Sequence, residues 1–363
     1  MKSNETILKL INKNASVNEI CSITGLTHKQ LFYRMNMLKI KGYDFEKKFY
    51  YNGDIVYSII NSLKEENKNE KTIITSPKDT EFRAVLISDL HLGNIKDRPD
   101  LLYEVYNFCV KEGINIIINA GDLIDGAVGC GNNHNKKISD VNHQLEYLLK
   151  NYPYDKNVLN FICLGNHDYS CLSSTGIDLE KILDNKRHDL ISLGYGFGRL
   201  NVKNEQIIVT HPSTANVKME PTNCNLILTG HSHKSKNIYA NANTHIYIPS
   251  LSEVDVFDTN GLHAEFPGML KVTFPYKNGY FYVGKFEHFL FINNKMYKVS
   301  ESQENLISGK KYQNAFVNNE ENRKSLSMDE LEKIAKKDDV KKLERKITSD
   351  MSQIEKFKAR YGK

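Results

Sequence analysis

Five short apolar runs punctuate the middle of the chain: Ala84 to Ile87, Ile114 to Ile118, Val158 to Ile162, Gln206 to Val209 and Asn225 to Leu228. Each is rich in leucine or β-branched residues and is bounded by polar residues or glycine, the pattern of a strand buried on both faces. Between the first two runs the apolar positions change to helical spacing at Leu102, Val105, Tyr106 and Cys109, with Gly113 as the stop. Further helices are predicted over 139–152 and 176–185, and residues 263–297 form a closing set of antiparallel strands broken by turn residues such as Lys277-Asn278-Gly279. Alternation of this kind predicts a layered α/β domain.

The first sixty residues follow a different period. Residues 16–38 fit a helix-turn-helix, with Ile20 and Ile23 inward on the first helix, Gly25 at the turn, Thr27 as N-cap, and Leu31, Met35 and Leu38 anchoring the second helix. A hairpin turn at Asn52-Gly53 follows, and the whole resembles a winged helix-turn-helix domain. Residues 61–81 are rich in Lys, Glu, Asn and Thr and read as a solvated linker. The predicted domains are therefore 1–60 winged helix, 61–81 linker, 82–298 α/β domain and 299–363 helical extension. That extension carries a capping box, Ser327 to Glu330, and near-heptad Val340, Leu343, Ile347, Met351 and Ile354. It is read either as a helix for homodimerisation or partner docking, or as one packed on its own domain.

Composition narrows the class. Of 363 residues, 40% are apolar and 26% charged, and no apolar stretch approaches a membrane span. The polar opening Ser3-Asn4-Glu5 does not read as a signal peptide, so a cytoplasmic protein without membrane contact is expected. The six cysteines are scattered with no C-x-x-C pair, which argues against a disulfide framework or a thiolate zinc site. A net charge of +5 does not mark the whole molecule as a polyanion binder. Residues 1–60 carry nine Lys or Arg against five Asp or Glu, and the second helix would expose His28, Lys29, Gln30, Tyr33 and Arg34. Lys29, Gln30, Tyr33 and Arg34 are the candidate nucleic-acid contacts, with Lys47 and Lys48 on the wing; protein contact is the alternative use.

Every apolar run ends in acidic, amide or histidine residues: Asp89 and His91 in SDLHLG, Asp122 and Asp125 in AGDLIDG, Asn166, His167 and Asp168 in LGNHD, His211 in THPS, and His231 and His233 in TGHSHK. Ligands of α/β domains collect outside the carboxyl ends of the strands, so five motifs point to one place. Carboxylates, imidazoles and an amide together suit two divalent cations, with Mn²⁺ preferred and Fe or Zn as alternatives.

The ordered set D-x-H, G-D-x-x-D, G-N-H-D, H and G-H-x-H resembles the calcineurin-like metallophosphoesterase family over about residues 82–295. The resemblance implies an α/β sandwich of two mixed sheets flanked by helices. It also implies that Asp89, His91 and His233 hold one metal, that Asn166, His211 and His231 hold the other, and that Asp122 bridges both. His167 is implied as the catalytic acid, Asp125 as the carboxylate that orients it, and Asp168 as a loop brace. The expected chemistry is in-line attack on phosphorus by a hydroxide held between the metals. SDLHLG and GNHD are similar to the SbcD-type nucleases, which with the N-terminal segment implies a phosphodiesterase or nuclease acting on DNA. The alternatives are a small- or cyclic-nucleotide phosphodiesterase or a phosphomonoesterase and, in another class, a DNA-binding regulator with a sensor phosphoesterase domain.

Overall fold

A computed structural model describes residues 4–60, 69–127, 136–212, 226–240, 243–253, 256–258, 261–263 and 266–305. The predicted C-terminal helix therefore lies outside the described residues. The chain enters through α1 (Asn4–Ile11), α2 (Val17–Thr24) and α3 (His28–Ile40), then the hairpin β1 (Asp44–Tyr50) and β2 (Ile55–Ile60). Ser16 and Thr27 close capping boxes with Glu19 and Gln30, and Gly25 ends α2 in the left-handed region at φ 72°. Ile20, Leu31, Met35 and Leu38 are buried as predicted, whereas Ile23 faces outward at 47% exposure. It lies three residues past Ile20, in the last turn of a helix only two turns long.

Next come β3 (Glu70–Ile74), β4 (Glu81–Ile87), α4 (Pro99–Glu112), β5 (Ile116–Asn119), α5 (Val141–Asn151) and β6 (Leu159–Leu164). Helices α6 (Asn166–Thr175) and α7 (Leu179–Lys186) precede β7 (Leu190–Tyr195), β8 (Phe197–Val202), β9 (Glu205–Thr210) and β10 (Leu226–Thr229). The described part closes with β11 (Lys236–Ala240), β12 (Asn243–Tyr247), the hairpin β13 (Val256–Asp258) and β14 (Gly261–His263), then β15 (Gly268–Lys277), β16 (Tyr280–Phe281), β17 (Val283–Ile292) and β18 (Lys295–Asn305). No helix among the described residues is long and apolar enough to cross a membrane.

Two mixed sheets face each other. One runs β18-β17-β15-β4-β5-β6-β7 and the other β11-β12-β10-β9-β8-β3-β1-β2. Strand β4 shows why its sequence is apolar at successive positions: Phe82, Ala84 and Leu86 face the opposite sheet, and Val85 and Ile87 face the helical layer. The helical layer comes from the crossovers, α4 between β4 and β5, α5 between β5 and β6, and α6 and α7 between β6 and β7. The four parallel strands β4 to β7 thus deliver the ends of their polypeptide turns to one edge.

Two expectations about segment boundaries change. Residues 70–74, expected in a solvated linker, form β3, which pairs in parallel with β1 (Phe49↔Ile73) and with β8 (Ile73↔Val202). Ile73 is 1% exposed, and burying such a side chain contributes about 1.5–3 kcal/mol, which adds to main-chain pairing on both edges to order a strand that is polar over Glu70, Lys71 and Thr72. Residues 299–305, expected to begin a helical extension, continue β18 against β17. The N-terminal helices are joined to the same core: Ile7, Ile11, Ile20, Leu31 and Met35 cluster with Phe49, Phe82 and Phe161. The Asn52-Gly53 turn lies so close to the loop before β6 that a Cβ on Gly53 would strike the Asn157 carbonyl.

Candidate metal centre

The residues after β4, β5, β6, β9 and β10 meet at one edge of the sandwich. Asp89, His91, Asp122 and His211 are at most 2% exposed, while Asn166, His167, His231 and His233 are half-buried and form the mouth. Asp89 Oδ1 is 3.2 Å from His233 Nε2 and 3.9 Å from His91 Nε2, and the two imidazole nitrogens are 3.2 Å apart. On the other side, Asn166 Oδ1 stands 3.1 Å from His211 Nε2 and 3.0 Å from His231 Nδ1. Asp122 lies between these groups, its Oδ2 3.0 Å from His211 Nε2 and 3.9 Å from His91 Nε2.

Backbone strain marks the same residues. Asp89, His91, Asp122, His231 and His233 have φ between 45° and 71°. Among the described non-glycine residues the others with positive φ are asparagines and Lys203, ordinary turn positions. A left-handed histidine or aspartate costs on the order of 1 kcal/mol, and five in one site show that side-chain convergence overrides backbone preference. The motif glycines serve the same end: a Cβ on Gly121 would come within 2.6 Å of His211 Nδ1, one on Gly165 would strike the Asp122 carboxylate, and one on Gly230 would strike Ser88 Oγ.

Electrostatics follow from burial and crowding. Burial pushes the Asp122 carboxyl up, but His211 outweighs it and holds the group far below the usual carboxylate range. Burial likewise raises Asp89, and His233 then His211 bring it down to about 2. Burial pushes the His211 imidazole down, and Asp122 followed by Asp89 raise it to about 10. His91 and His231 are lowered, chiefly by burial.

These residues fit divalent cations. Asp89 Oδ1 is buried with no hydrogen-bond donor among the described residues, yet three imidazole Nε2 atoms stand within 4.0 Å of it. Asp89, His91 and His233 converge as one potential ligand group, and Asp122, His211 and His231 as another. His211 Nδ1 donates to the Ala120 carbonyl at 2.5 Å, which leaves Nε2 to face the cluster. A cation there would take the position of the proton that the carboxylates otherwise hold on His211.

His167 stands beside this cluster, its ring 4.6 Å from that of His91 and perpendicular to it. Here the structure differs from the role expected of Asp125. The Asp125 main-chain carbonyl, not its carboxylate, accepts from His167 Nδ1 at 2.8 Å. The carboxylate instead lies 3.7 Å from His91 Nδ1 and accepts from Asn94 Nδ2 at 2.9 Å. One carboxylate oxygen nonetheless stays within 4.8 Å of a nitrogen of each imidazole. Asp168 accepts from the amides of Leu123, Ile124 and Gly165, bracing two motif loops. Asn94 and Ser250, whose hydroxyl donates to the Asp89 carbonyl at 2.9 Å, are supporting residues that no motif flagged. Only its place directly after the SDLHLG motif offered a signal for the first.

The candidate nucleic-acid contacts fare differently. Lys29 and Tyr33 are exposed, Tyr33 at 66%. Gln30 is occupied in its own capping box with Thr27, one turn away, and Arg34 Nη1 donates across to Asn4 Oδ1 of α1 at 3.4 Å. His28 Nε2 sits 2.9 Å from Asn18 Oδ1, and Lys47 pairs with Asp184. The face of α3 bearing Phe32 and Asn36 packs on the end of α7 and the segment that joins it to β7: Phe32 stacks on His188 at 3.8 Å and Asn36 donates to the Asn185 carbonyl. Residues 153–157 and 185–190 precede β6 and β7, whereas the metal-ligand candidates follow β4, β5 and β6. Helix α3 and the candidate metal centre therefore sit at opposite ends of strands, roughly 20 Å apart along the six residues of β6.

Residues 82–235 match the family model for calcineurin-like phosphoesterases, and this part of the chain is a calcineurin-like metallophosphoesterase domain. No curated protein sequence matches the chain. Similar solved structures include vacuolar protein sorting 29 from Cryptosporidium parvum, at 15% identity over 62% of this chain and 100% of that one, with a TM-score of 0.39. An archaeal phosphodiesterase aligns at 12% identity over 57% of this chain and 99% of that one, TM-score 0.35. Nuclease MPE from Pseudomonas putida aligns at 14% identity over 60% and 87%, TM-score 0.32.

Proposed function

We propose that this chain is a dinuclear-metal phosphodiesterase acting on DNA. Asp89, His91 and His233 would hold one divalent cation, Asn166, His211 and His231 would hold the second, and the Asp122 carboxylate would be available to both. The observation that carries this reading is the position of Asp122, within 3.9 Å of His91 Nε2 on one side and 3.0 Å of His211 Nε2 on the other. Mixed nitrogen and oxygen donors favour Mn²⁺, with Fe or Zn as alternatives. When bound, such cations supply Lewis acidity to a phosphoryl group and lower the pKa of a water.

The remaining work belongs to the chain's own groups. His167, with Nδ1 committed to the Asp125 carbonyl, presents Nε2 at the mouth and protonates the departing ester oxygen. Asn94 and the Asp125 carboxylate keep His91 oriented. No side chain in this scheme becomes covalently attached to phosphorus.

Support for a polynucleotide comes from the N-terminal segment, read as a winged helix-turn-helix with α3 as its exposed helix. Lys29 and Tyr33 line an open groove of about 740 Å³ together with Tyr103, Lys150, Tyr154 and Lys186. Ammonium groups interleaved with aromatic rings suit a phosphate backbone with stacking bases. The second reading, a small- or cyclic-nucleotide phosphodiesterase, is favoured by the placement of that groove at the end of the strands opposite the metal-ligand candidates. A substrate panel with Mn²⁺ separates the two: single-stranded DNA, duplex DNA, RNA, cyclic nucleotides, a phosphomonoester and a chromogenic diester. Turnover of DNA at a rate above that of cyclic nucleotides is expected. Turnover of cyclic nucleotides alone would replace the DNA reading, and no hydrolysis of any ester would remove the enzymatic one.

A further inference from the structure

A second cleft, of about 370 Å³, lies where the N-terminal hairpin meets α7, and it is lined by lysines. Lys39 and Lys47 both approach one carboxylate, Asp184: Lys39 Nζ stands 3.6 Å from Oδ2, and Lys47 bonds Oδ1. Lys71 on β3 lines the same cleft and has no ion pair among the described residues. Lys181 is matched by Asp178 at 3.3 Å, which leaves Glu180 as the further carboxylate of the wall. Four lysines of the cleft, Lys39, Lys47, Lys71 and Lys181, thus face three carboxylates, Asp178, Glu180 and Asp184, and Lys47 is only 17% exposed. Burial, and after it Lys39 and Lys71, push the Lys47 ammonium down against the pull of Asp184.

A second observation comes from His188, which lines the cleft and is 2% exposed. The Tyr57 hydroxyl bonds its Nδ1 at 2.8 Å. With Nδ1 accepting, the proton sits on Nε2, and this buried donor has no partner among the described residues. Excess ammonium charge and an unmet N–H donor in one concavity call for a ligand that brings several acceptor oxygens and negative charge. Phosphate does both.

We propose that this cleft is a phosphate-binding site for a small phosphorylated molecule, separate from the candidate metal centre, seated on Lys39, Lys47, Lys71 and His188. Its walls come from β1, β3, α3 and α7, so an occupant joins the N-terminal segment to the phosphoesterase domain. The concave form distinguishes it from the open α3 groove and favours a small molecule over a polymer backbone.

The test is calorimetric titration of the full chain with pyrophosphate and with ATP in EDTA, so that no divalent cation can hold phosphate at the metal-ligand residues. Saturable binding is expected, weakened about tenfold or more by Lys71→Ala, as for loss of one charged hydrogen bond, and unchanged by Asp122→Asn. The double variant Lys47→Ala with Lys71→Ala abolishes it, and thermal unfolding confirms that each variant is folded. Absence of saturable binding overturns the proposal, as does binding that survives the lysine changes or disappears with Asp122→Asn. A labelled single-stranded oligonucleotide forms the other arm: oligonucleotide binding that depends on Lys71 without pyrophosphate or ATP binding assigns the phosphate to a polymer and overturns the small-molecule site.

Discussion

Asp122 and His167 stand next to each other in space but are asked to do different things, and single substitutions separate them. The Asp122 carboxylate accepts from the His167 amide through Oδ1 and faces His211 through Oδ2. Asp122→Asn keeps the first contact and loses the charge, so metal content and hydrolysis of a chromogenic diester should fall together by about 10–100-fold or more. Elemental analysis of the purified variant beside its turnover decides this, and full activity refutes the shared-ligand role. His167→Ala should leave metal content intact and lower turnover about a hundredfold, as for a lost general acid. Loss of metal in that variant would instead make His167 a ligand. The positions of these groups were legible because each follows a recognisable apolar run at fixed spacing. The partner of the Asp125 carboxylate was not, since the choice between His91 and His167 depends on which of Asp125's oxygens each imidazole reaches.

Among the elements, strands that alternate between two buried faces were readable, and those with one polar face were not. β4, β5, β6, β9 and β10 are apolar at successive positions. By contrast, β3, β7 and β8 carry polar residues or glycine within the run, and they order through strand partners, as Ile73 does between Phe49 and Val202. Helix α6 was missed because its first turn is the Asn166-His167-Asp168 motif, whose polarity masks a helical start capped by Asp168. The contact between α3 and the end of α7 brings a titratable consequence. Burial, and after it Lys47, depress the His188 imidazole to about 3 from 6.5. The unfolded chain therefore binds this proton more readily than the folded one. The neutral imidazole's contribution is complete above pH 6.5 and lost as pH falls towards 3, at up to about 1.4 kcal/mol per pH unit. Denaturant titrations from pH 7 to 4 in EDTA, comparing the wild type with His188→Gln, should show the steeper acid loss in the wild type. Parallel slopes would rule the His188 term out.

For the whole molecule, sequence pattern suggested two modules on a tether, and the structure has one continuous sheet and core across that boundary. The polar composition of residues 61–81 hid this, because a single buried isoleucine and main-chain pairing suffice to insert β3. Removing residues 1–60 should therefore do more than remove a binding module. It strips β1 and β2 from the sheet, opens the edge of β3 and uncovers Phe82 and Phe161. The truncated chain should aggregate or lose its cooperative thermal transition, read by size-exclusion chromatography and circular dichroism; a monomeric, cooperatively folding truncation would restore the two-module picture. Deletion consequently cannot reveal whether the N-terminal segment recruits DNA, and surface substitutions must do so. Lys29→Ala, Lys150→Ala and Lys186→Ala remove groove charges without touching the core or the metal-ligand candidates. If the groove tracks a DNA backbone, each should shrink the slope of log affinity against log salt by about 0.7–0.9 units, depending on single or double strand. Hydrolysis of the chromogenic diester should stay at the wild-type rate, because the groove and the metal-ligand residues lie beyond opposite ends of β6. An unchanged salt slope in the triple variant would remove the groove from DNA recognition and leave the small-nucleotide reading as the better account of the site.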